Sequence, residues 1–228
     1  MKKTLIFAFL IFLGSSVFAN IELDTNLYGR VFCSKSIDSE SNVIEQNFNE
    51  SVFKQGPGFG KEDAISLFFG QKKTKLDIGA GFLLYFDVYA NQSLGSNKFI
   101  GNGINAGFGM GPVFRYTFTP KFSLFARPAF ILTAHSFTFT DNDDIPLDSF
   151  RMTDYSLGAD FNIGARSWLL NANGYHLGLA YGADFAYAAG SGYFSTNLHK
   201  IYDYTENFIT AKVYVGICMN FGDRGIDR

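Results

Sequence analysis

Three short stretches of this 228-residue chain have residue types and spacings that could do chemistry. His135-Ser136 and Asp154 could form a Ser–His–acid set, in which the histidine takes the serine proton and the acid orients the histidine. Asp141-Asn142-Asp143-Asp144 could hold a divalent cation, but it lacks the glycine and distal glutamate of a calcium loop. Gly56-Pro57-Gly58-x-Gly60 has no strand-to-helix context for a phosphate cradle. The simpler interpretations, in the same order, are a structural histidine beside a loop, an acidic tip of a solvated loop, and an ordinary glycine-rich loop. We therefore predict no catalytic residue, metal, cofactor or enzymatic activity.

The N-terminus predicts export. Met1-Lys2-Lys3 is followed by an apolar stretch from Leu5 to Phe18, and Ser16-Val17-Phe18-Ala19 ends in a small-x-small cleavage site. This is the three-part pattern of a signal peptide, so we predict residues 1–19 to be removed. Since the segment holds two lysines and no acid, the mature chain has 17 cations against 21 acids, a net charge of −4. That balance argues against a nucleic-acid partner.

The rest of the chain alternates between apolar residues and small or polar ones. Between Leu76 and Ala90, for example, every even position up to Val88 is apolar, while the odd positions include Asp77, Gly79 and Gly81. A period of two predicts a β-strand with one apolar face. The pattern predicts eight strands: Ile21–Cys33, Ala64–Gly70, Leu76–Ala90, Ile104–Phe118, Phe122–Ala134, Tyr155–Ala165, Tyr175–Ala189 and Phe208–Phe221.

The connections between these strands alternate strictly between long and short. Long polar loops are predicted at Ser34–Glu62, Asn91–Lys98, Ser136–Thr153 and Gly190–Glu206, with tight turns at Gln71–Lys75, Thr119–Lys121 and Asn171–Gly174. All long loops then emerge at one end, which is typical of outer-membrane barrels. We predict an all-β, eight-stranded antiparallel up-and-down transmembrane β-barrel over residues 20–221, with a short polar periplasmic tail over 222–228. A soluble lipocalin-like barrel would have its large apolar residues inside.

The polar faces of the strands are predicted to line the lumen. Five cations and five anions then form an ion-pair network, and this balance suits a closed interior in which unpaired charge is costly. The ten residues are Arg30, Asp77, Asp87, Arg115, Arg127, Asp154, Asp160, Arg166, Asp184 and Lys212. Within this set we expect Asp184 to pair with Lys212, and Asp160 with Arg127.

The prolines, the cysteines and two aromatic residues yield further structural expectations. Pro112 and Pro128 should lie nearly opposite each other, because each is six residues from the strand residue that flanks a three-residue turn, Phe118 or Phe122. Cys33, assigned to the lipid-facing set, and Cys218, assigned to the lumen set, should not form a disulfide, because their heights differ by roughly 30 Å. Trp168 and Tyr175 are interpreted as interfacial belt residues.

The chain resembles the small eight-stranded outer-membrane barrels of the OmpA, OmpX and OmpW type. The resemblance rests on the architecture and on the last strand, which resembles the Phe-ended signal read by the barrel-insertion machinery. The residues that carry this signal are Val213, Val215, Ile217, Met219 and Phe221. Unlike most family members, this chain continues for seven residues beyond Phe221.

Three function classes remain open from the sequence. The favoured one is a non-enzymatic surface, structural or adhesin-like protein with long extracellular loops and a charge-paired lumen. The alternatives are a narrow porin-like or OmpW-like channel for small solutes, and a lipid-modifying barrel enzyme. The expected location is the outer membrane. Expected partners are outer-membrane lipid, the secretion and barrel-insertion machinery, and an extracellular ligand reached through the loops.

Overall fold

The computed structural model describes residues 18–38, 53–54, 58–69, 75–94, 99–141, 150–172, 174–196 and 201–222. Eight long strands, numbered in chain order, are β1 (Phe18–Asp38), β2 (Gly58–Phe69), β3 (Leu76–Leu94), β4 (Phe99–Thr119), β5 (Phe122–Asp141), β6 (Phe150–Ala172), β7 (Tyr175–Thr196) and β8 (Ile201–Gly222). A two-residue segment, Phe53–Lys54, pairs with the end of β3. Within the described ranges no helix has the length and apolar character needed to cross a membrane.

Each of the eight strands coincides with a predicted one, and each runs further into the adjoining predicted loop. β2, for instance, begins at Gly58 and not at Ala64, and β1 continues to Asp38. Near these ends the outward residues become polar, as at Ser34 and Ser136, while the pairing of the strands continues. The apolar alternation therefore stops before the strand does, and the sequence pattern underestimated the strand lengths.

The strands close into a ring. Each strand pairs antiparallel with its chain neighbours, and β1 also pairs with β8 over nearly its whole length, from Asn20–Gly222 to Asp38–Thr205. The tight turns lie at one end, called here the turn end, and the other connections lie at the loop end. The fold is therefore an eight-stranded antiparallel up-and-down β-barrel, as the sequence predicted.

The registers also fix how strongly the strands are staggered. Val113 lies opposite Arg127, because the pairs Met110–Phe130 and Phe114–Ala126 flank that position in register. Moving from partner to partner around the ring leads from Asn20 through Phe68, Gly79, Val113, Arg127, Asn162, Asp184 and Lys212 to Arg30. The path returns to β1 ten residues further along, from 20 to 30. Such a stagger tilts the strands by about 40° and leaves a lumen just wide enough for side chains.

The outer surface of the barrel is apolar. Leu27, Phe130 and Leu157 are 65%, 79% and 69% exposed, and large apolar side chains on all eight strands face outward in the same way. A continuous apolar belt of this kind is far larger than the patches found on soluble proteins. The belt therefore marks a barrel that crosses a membrane.

A β-bulge in β1 changes which residues point inward. The pairing with β8 shifts by one residue between Arg30 and Phe32, so Val31 and Phe32 both lie outside and Cys33 is buried inside. The prediction that Cys33 belongs to the lipid-facing set is wrong for this reason. Both cysteines are free, as predicted. Cys218 lies opposite Asp24, nine residues from Cys33 along β1, which is about 30 Å.

The two prolines of β4 and β5 face each other. Pairing of these strands stops at Met110–Phe130 and resumes in the same register at Phe114–Ala126, so Pro112 lies opposite Pro128 with the ladder interrupted around them. This prediction is confirmed. The turn itself is shorter than predicted, since Thr119 pairs with Phe122, and a register shift after Thr117 absorbs the difference.

Candidate functional site

The lumen contains more charge than the sequence predicted. All ten predicted ion-pair residues are buried inside the barrel. Five further charged residues are buried with them: Glu22, Asp24, Lys35, Glu62 and Glu206. The described interior therefore contains nine acids and six Lys or Arg side chains, so the expected balance of five against five is wrong. These residues form four groups stacked along the barrel axis, covered at the loop end by aromatic residues.

The group nearest the turn end, the basal cluster, consists of Glu22, Asp24, Asp77, Arg115 and Arg166. Glu22 lies between the two guanidinium groups and forms ion pairs with both. Arg115 also donates to Asp77 from Nε and Nη2 at 2.9 and 2.7 Å, and Arg166 donates to Asp24 at 3.2 and 2.6 Å. Four strands, β1, β3, β4 and β6, supply these residues, so the cluster crosslinks the barrel wall through its interior.

Aromatic rings pack on the basal guanidinium groups. The Arg115 guanidinium lies 4.3 Å from the ring centre of Phe68, and that of Arg166 lies 3.9 Å from Phe125. Trp168 is also inside, 3% exposed, and its indole N–H donates to Ser123 at 3.4 Å. The prediction that Trp168 is a belt residue is therefore wrong, because its position in β6 shares the inward parity of Arg166. Tyr175 is partly exposed, with its ring 5.6 Å from that of Phe221.

The central cluster consists of Glu62, Arg127, Asp160, Asp184 and Lys212. Lys212 lies 3.3 Å from Asp184, which confirms that predicted pair. The predicted pair of Arg127 with Asp160 is wrong. Arg127 crosses the lumen to Glu62 on β2, 2.5 Å away. Arg127 is opposite Asn162 and not Asp160 in the register, and Glu62 was assigned to a loop in the sequence.

The upper group joins Arg30, Asp87 and Tyr28. Arg30 donates to Asp87 at 2.6 Å and to the Thr210 hydroxyl at 2.7 Å, and the Tyr28 hydroxyl donates to Asp87 at 2.5 Å. Gly60 makes room for this arrangement, because a Cβ there would lie 2.4 Å from Tyr28 and 2.5 Å from Asp87. That glycine, considered above as part of a phosphate loop, has a packing role in β2.

The rim cluster, nearest the loop end, consists of Lys35, His135, Asp154 and Glu206. The Lys35 ammonium contacts both carboxylates and lies 2.5 Å from Asp154. His135 contacts Asp154 through Nδ1 and lies 3.6 Å from Glu206. One ligand atom each of the histidine and the two acids lie within 4.8 Å of one another, a set that suits a divalent cation. Lys35 already supplies a positive charge between the two carboxylates.

Above the rim cluster the lumen is filled by large apolar side chains, named here the aromatic cap. Tyr204 joins the two layers, since its hydroxyl donates to Asp154 at 2.8 Å. The members of the cap pack together and are all buried: Ile37, Tyr89, Phe137, Phe139, Met152, Phe194 and Tyr204. The aromatic cap therefore covers the four groups of charged residues at the loop end of the barrel.

The residues considered above for catalysis are only partly together. His135 and Asp154 are in contact inside the barrel, but Ser136 points outward, where its hydroxyl accepts a hydrogen bond from Arg151 at 2.9 Å. The serine that does point inward near this pair is Ser156, which donates to Glu206. Residues 142–144, 56 and 57 lie outside the described ranges.

The sequence contained a signal for two of the five buried charged residues that were not predicted. Glu22 and Asp24 alternate with Ile21 and Leu23 on β1, so a stricter use of parity would have placed them inside. Lys35, Glu62 and Glu206 had no such signal. They lie where strands run beyond the apolar alternation, and Lys35 also follows the bulge.

Comparison with known proteins identifies no family for this chain. No family model and no curated protein matches the chain. Among solved structures it is similar to a major outer membrane protein from Thermus thermophilus, at 12% identity over 88% of this chain and 99% of that one, with a TM-score of 0.48. It is also similar to the outer membrane protein OprG from Pseudomonas aeruginosa (8% identity, 90% and 96% covered, TM-score 0.46) and to Ail, the attachment invasion locus protein of Yersinia pestis (12%, 86% and 97%, 0.38). At these scores the fold assignment rests on the strand registers. By those registers and its apolar belt, the chain is a membrane-spanning β-barrel protein.

Proposed function

We propose that the chain is a non-enzymatic protein of the outer membrane whose closed barrel anchors its loops at the cell surface, in a structural or adhesin-like role. The observation that carries the proposal is that the four groups of buried charged residues fill the lumen beneath the aromatic cap. Because ion pairs occur at every level of the lumen, the barrel is a rigid support for the loops and has no open passage.

The burial of the charges argues against a channel. Arg115, Arg127 and Arg166 are among the largest fully buried side chains of the described chain, each less than 2% exposed. In a water-filled lumen such side chains would be hydrated. All six buried Lys and Arg side chains of the described interior have an acidic partner, as a closed interior requires, because an unpaired buried ion costs several kcal/mol.

The geometry also favours a non-enzymatic role. A nucleophilic serine must be within hydrogen-bond reach of its base and open to substrate. Ser136 lies on the opposite face of β5 from His135, and the rim cluster is buried beneath the cap. The contact of His135 with Asp154 belongs to the rim cluster, in which Lys35 also contacts both carboxylates.

The proposal includes the route to the membrane. Cleavage after Ala19 and recognition of the strand ending at Phe221 by the insertion machinery remain predictions. They are compatible with the outward direction of Val213, Val215 and Ile217, which are 49%, 57% and 51% exposed. Outer-membrane lipid would contact this face, and an external ligand would bind the loops.

Conductance of the refolded mature chain in planar lipid bilayers tests the closed barrel, with an open porin as the positive control. We expect no discrete channel openings. Steady unitary currents from folded protein would overturn the proposal in favour of a pore.

Mass spectra of lipid A from cells with and without the protein test the non-enzymatic role. A change in lipid A mass that depends on His135 would overturn that part of the proposal.

A further inference from the structure

Asp160 differs from every other buried acid that the structure describes. It points into the lumen from β6 and is 3% exposed, and neither of its carboxyl oxygens accepts a hydrogen bond from a described residue. Each of the other eight buried acids forms an ion pair with a Lys or Arg side chain. A bare carboxylate here would be an uncompensated buried charge, which folded proteins avoid.

The nearest polar group to Asp160 is a second carboxyl group. Asp160 lies between the buried Ala129 and Ala186 in the register, and the carboxyl group of Asp184 on β7 lies within hydrogen-bonding distance of it. The two oxygens of Asp184 likewise accept no hydrogen bond from a described residue, and its ion pair with Lys212 is long, at 3.3 Å. Ionised carboxylates only accept hydrogen bonds, so two of them in contact repel each other unless a proton lies between them.

The charges of the central cluster also require one more positive charge. Its three acids, Glu62, Asp160 and Asp184, face two cations, Arg127 and Lys212. With all five groups ionised the net charge is two minus three, or −1, and one bound proton brings it to zero. The other titratable groups that face the cluster are paired elsewhere or are phenols: Asp24 with Arg166, Arg30 with Asp87, and Tyr28, Tyr85 and Tyr214.

We propose that Asp160 and Asp184 form a proton-binding site, in which the two carboxyl groups share one proton at neutral pH. One aspartic acid donates its O–H to the carboxylate of the other, so an oxygen of each side chain gains a partner. The remaining negative charge lies next to the Lys212 ammonium. The proton comes from water and belongs to the pair, not to one side chain. The site is inside the barrel and does not depend on the surface role proposed above.

Infrared spectra of the full mature chain in phospholipid vesicles at neutral pH test the proposal. A protonated carboxyl group has a carbonyl stretch above the amide bands, whereas a carboxylate has none there. We expect this signal in the parent chain, with a shift in heavy water. Asp160→Asn and Asp184→Asn should each reduce it by one carboxyl group per chain. Asp77→Asn is the matched control and should retain the signal, because Asp77 accepts two hydrogen bonds from Arg115.

The stability of the variants gives a second measurement. Asparagine can donate to the neighbouring carboxylate as the protonated acid does, so Asp160→Asn should leave the midpoint of urea unfolding unchanged or higher. Asp87→Asn should lower the midpoint, because it removes the acidic partner of the buried Arg30 guanidinium. Fluorescence of the buried Trp168 reports unfolding in each chain.

Three results would overturn the proposal. They are a parent spectrum without the protonated carboxyl signal, a signal that persists in both asparagine variants, and a loss of stability in Asp160→Asn as large as that in Asp87→Asn. A missing signal together with a midpoint that rises with sodium or potassium chloride, but not with choline chloride, would assign the site to a metal cation instead. If one asparagine variant fails to insert, the other variant and the parent spectrum decide.

Discussion

Single buried residues join strands that are distant around the ring. Glu22 holds the guanidinium groups of Arg115 and Arg166, which belong to β4 and β6, and Arg127 on β5 reaches Glu62 on β2. Burying these ions costs free energy, and the contact between opposite charges offsets it only when both partners are present. At the scale of residues, the interior therefore depends on complete pairs.

The Arg127–Glu62 pair tests this dependence. We expect Arg127→Met and Glu62→Leu each to lower the free energy of unfolding by about 3–5 kcal/mol, because each leaves one buried charge without its partner. The double variant should lose much less than the sum, since no charge of the pair remains. Urea unfolding in lipid vesicles, followed by the fluorescence of Trp168, measures all four chains.

The matching cycle on Asp184 and Lys212 is a suitable control for the method, because that contact is longer, at 3.3 Å. Its coupling should have the same sign and a smaller size. Additive losses at Arg127 and Glu62 would mean that the two side chains act separately, in contradiction to the observed ion pair.

At the scale of strands, the two prolines affect a single site. Paired positions of an antiparallel ladder alternate between those that exchange two hydrogen bonds and those that exchange none. Apart from the register shift after Thr117, the pairing of β4 with β5 is lost at positions 111 to 113, which is expected if Pro112 and Pro128 occupy one hydrogen-bonding position and both lack the donor. Both missing hydrogen bonds then belong to the pair of β4 and β5, and the ladders of these strands with β3 and β6 stay intact.

Hydrogen exchange tests this arrangement. The amide that Pro128→Ala adds to β5 should bond to the carbonyl of Pro112 and exchange at least about a hundredfold more slowly than an unstructured amide. Pro120→Ala, in the exposed turn between β4 and β5, adds an amide that should exchange rapidly. Fast exchange at position 128 in a folded barrel would show that the two prolines do not occupy a hydrogen-bonding position.

At the scale of the whole molecule, the barrel has two independent closures. The charged groups fill the lumen from Glu22 and Asp77 to the rim cluster, and the aromatic cap covers the loop end. An eight-stranded barrel with this stagger has just enough interior volume for such side chains. Either closure alone should therefore prevent ions from passing.

The cap can be removed to test this redundancy. Phe137→Ala with Phe139→Ala should lower the free energy of unfolding by several kcal/mol, because each change leaves a cavity. It should produce no channel in planar bilayers, because the charged groups remain. Phe130→Ala, on the same strand but 79% exposed to lipid, is the matched control and should affect neither the lumen nor conductance. Channel openings in the cap variant would show that the cap is the main barrier.

The eight strands and the direction of most side chains could be predicted from the sequence alone. A strand has a period of two, so apolar alternation identifies both the element and its lipid face, and Asp87, Arg115 and Asp184 could be placed inside by parity. The alternation of long and short connections then ordered the strands around the ring. The Asp184–Lys212 pair followed, because adjacent strands share a simple register.

Features that depend on register, stagger and contacts across the lumen emerged only from the folded chain. Arg127 reaches Glu62 and not Asp160 because the ring brings β5 near β2, which no local pattern encodes. The bulge at Arg30 reverses parity for Cys33 and Lys35, and pairing carries Glu62 and Glu206 into strands beyond the end of the apolar pattern. The ion pair of Lys61 with Asp63 on the outer face of β2 likewise became visible only once β2 was seen to begin at Gly58. Local periodicity is set by each strand alone, whereas pairing across a closed barrel is set by all eight strands together.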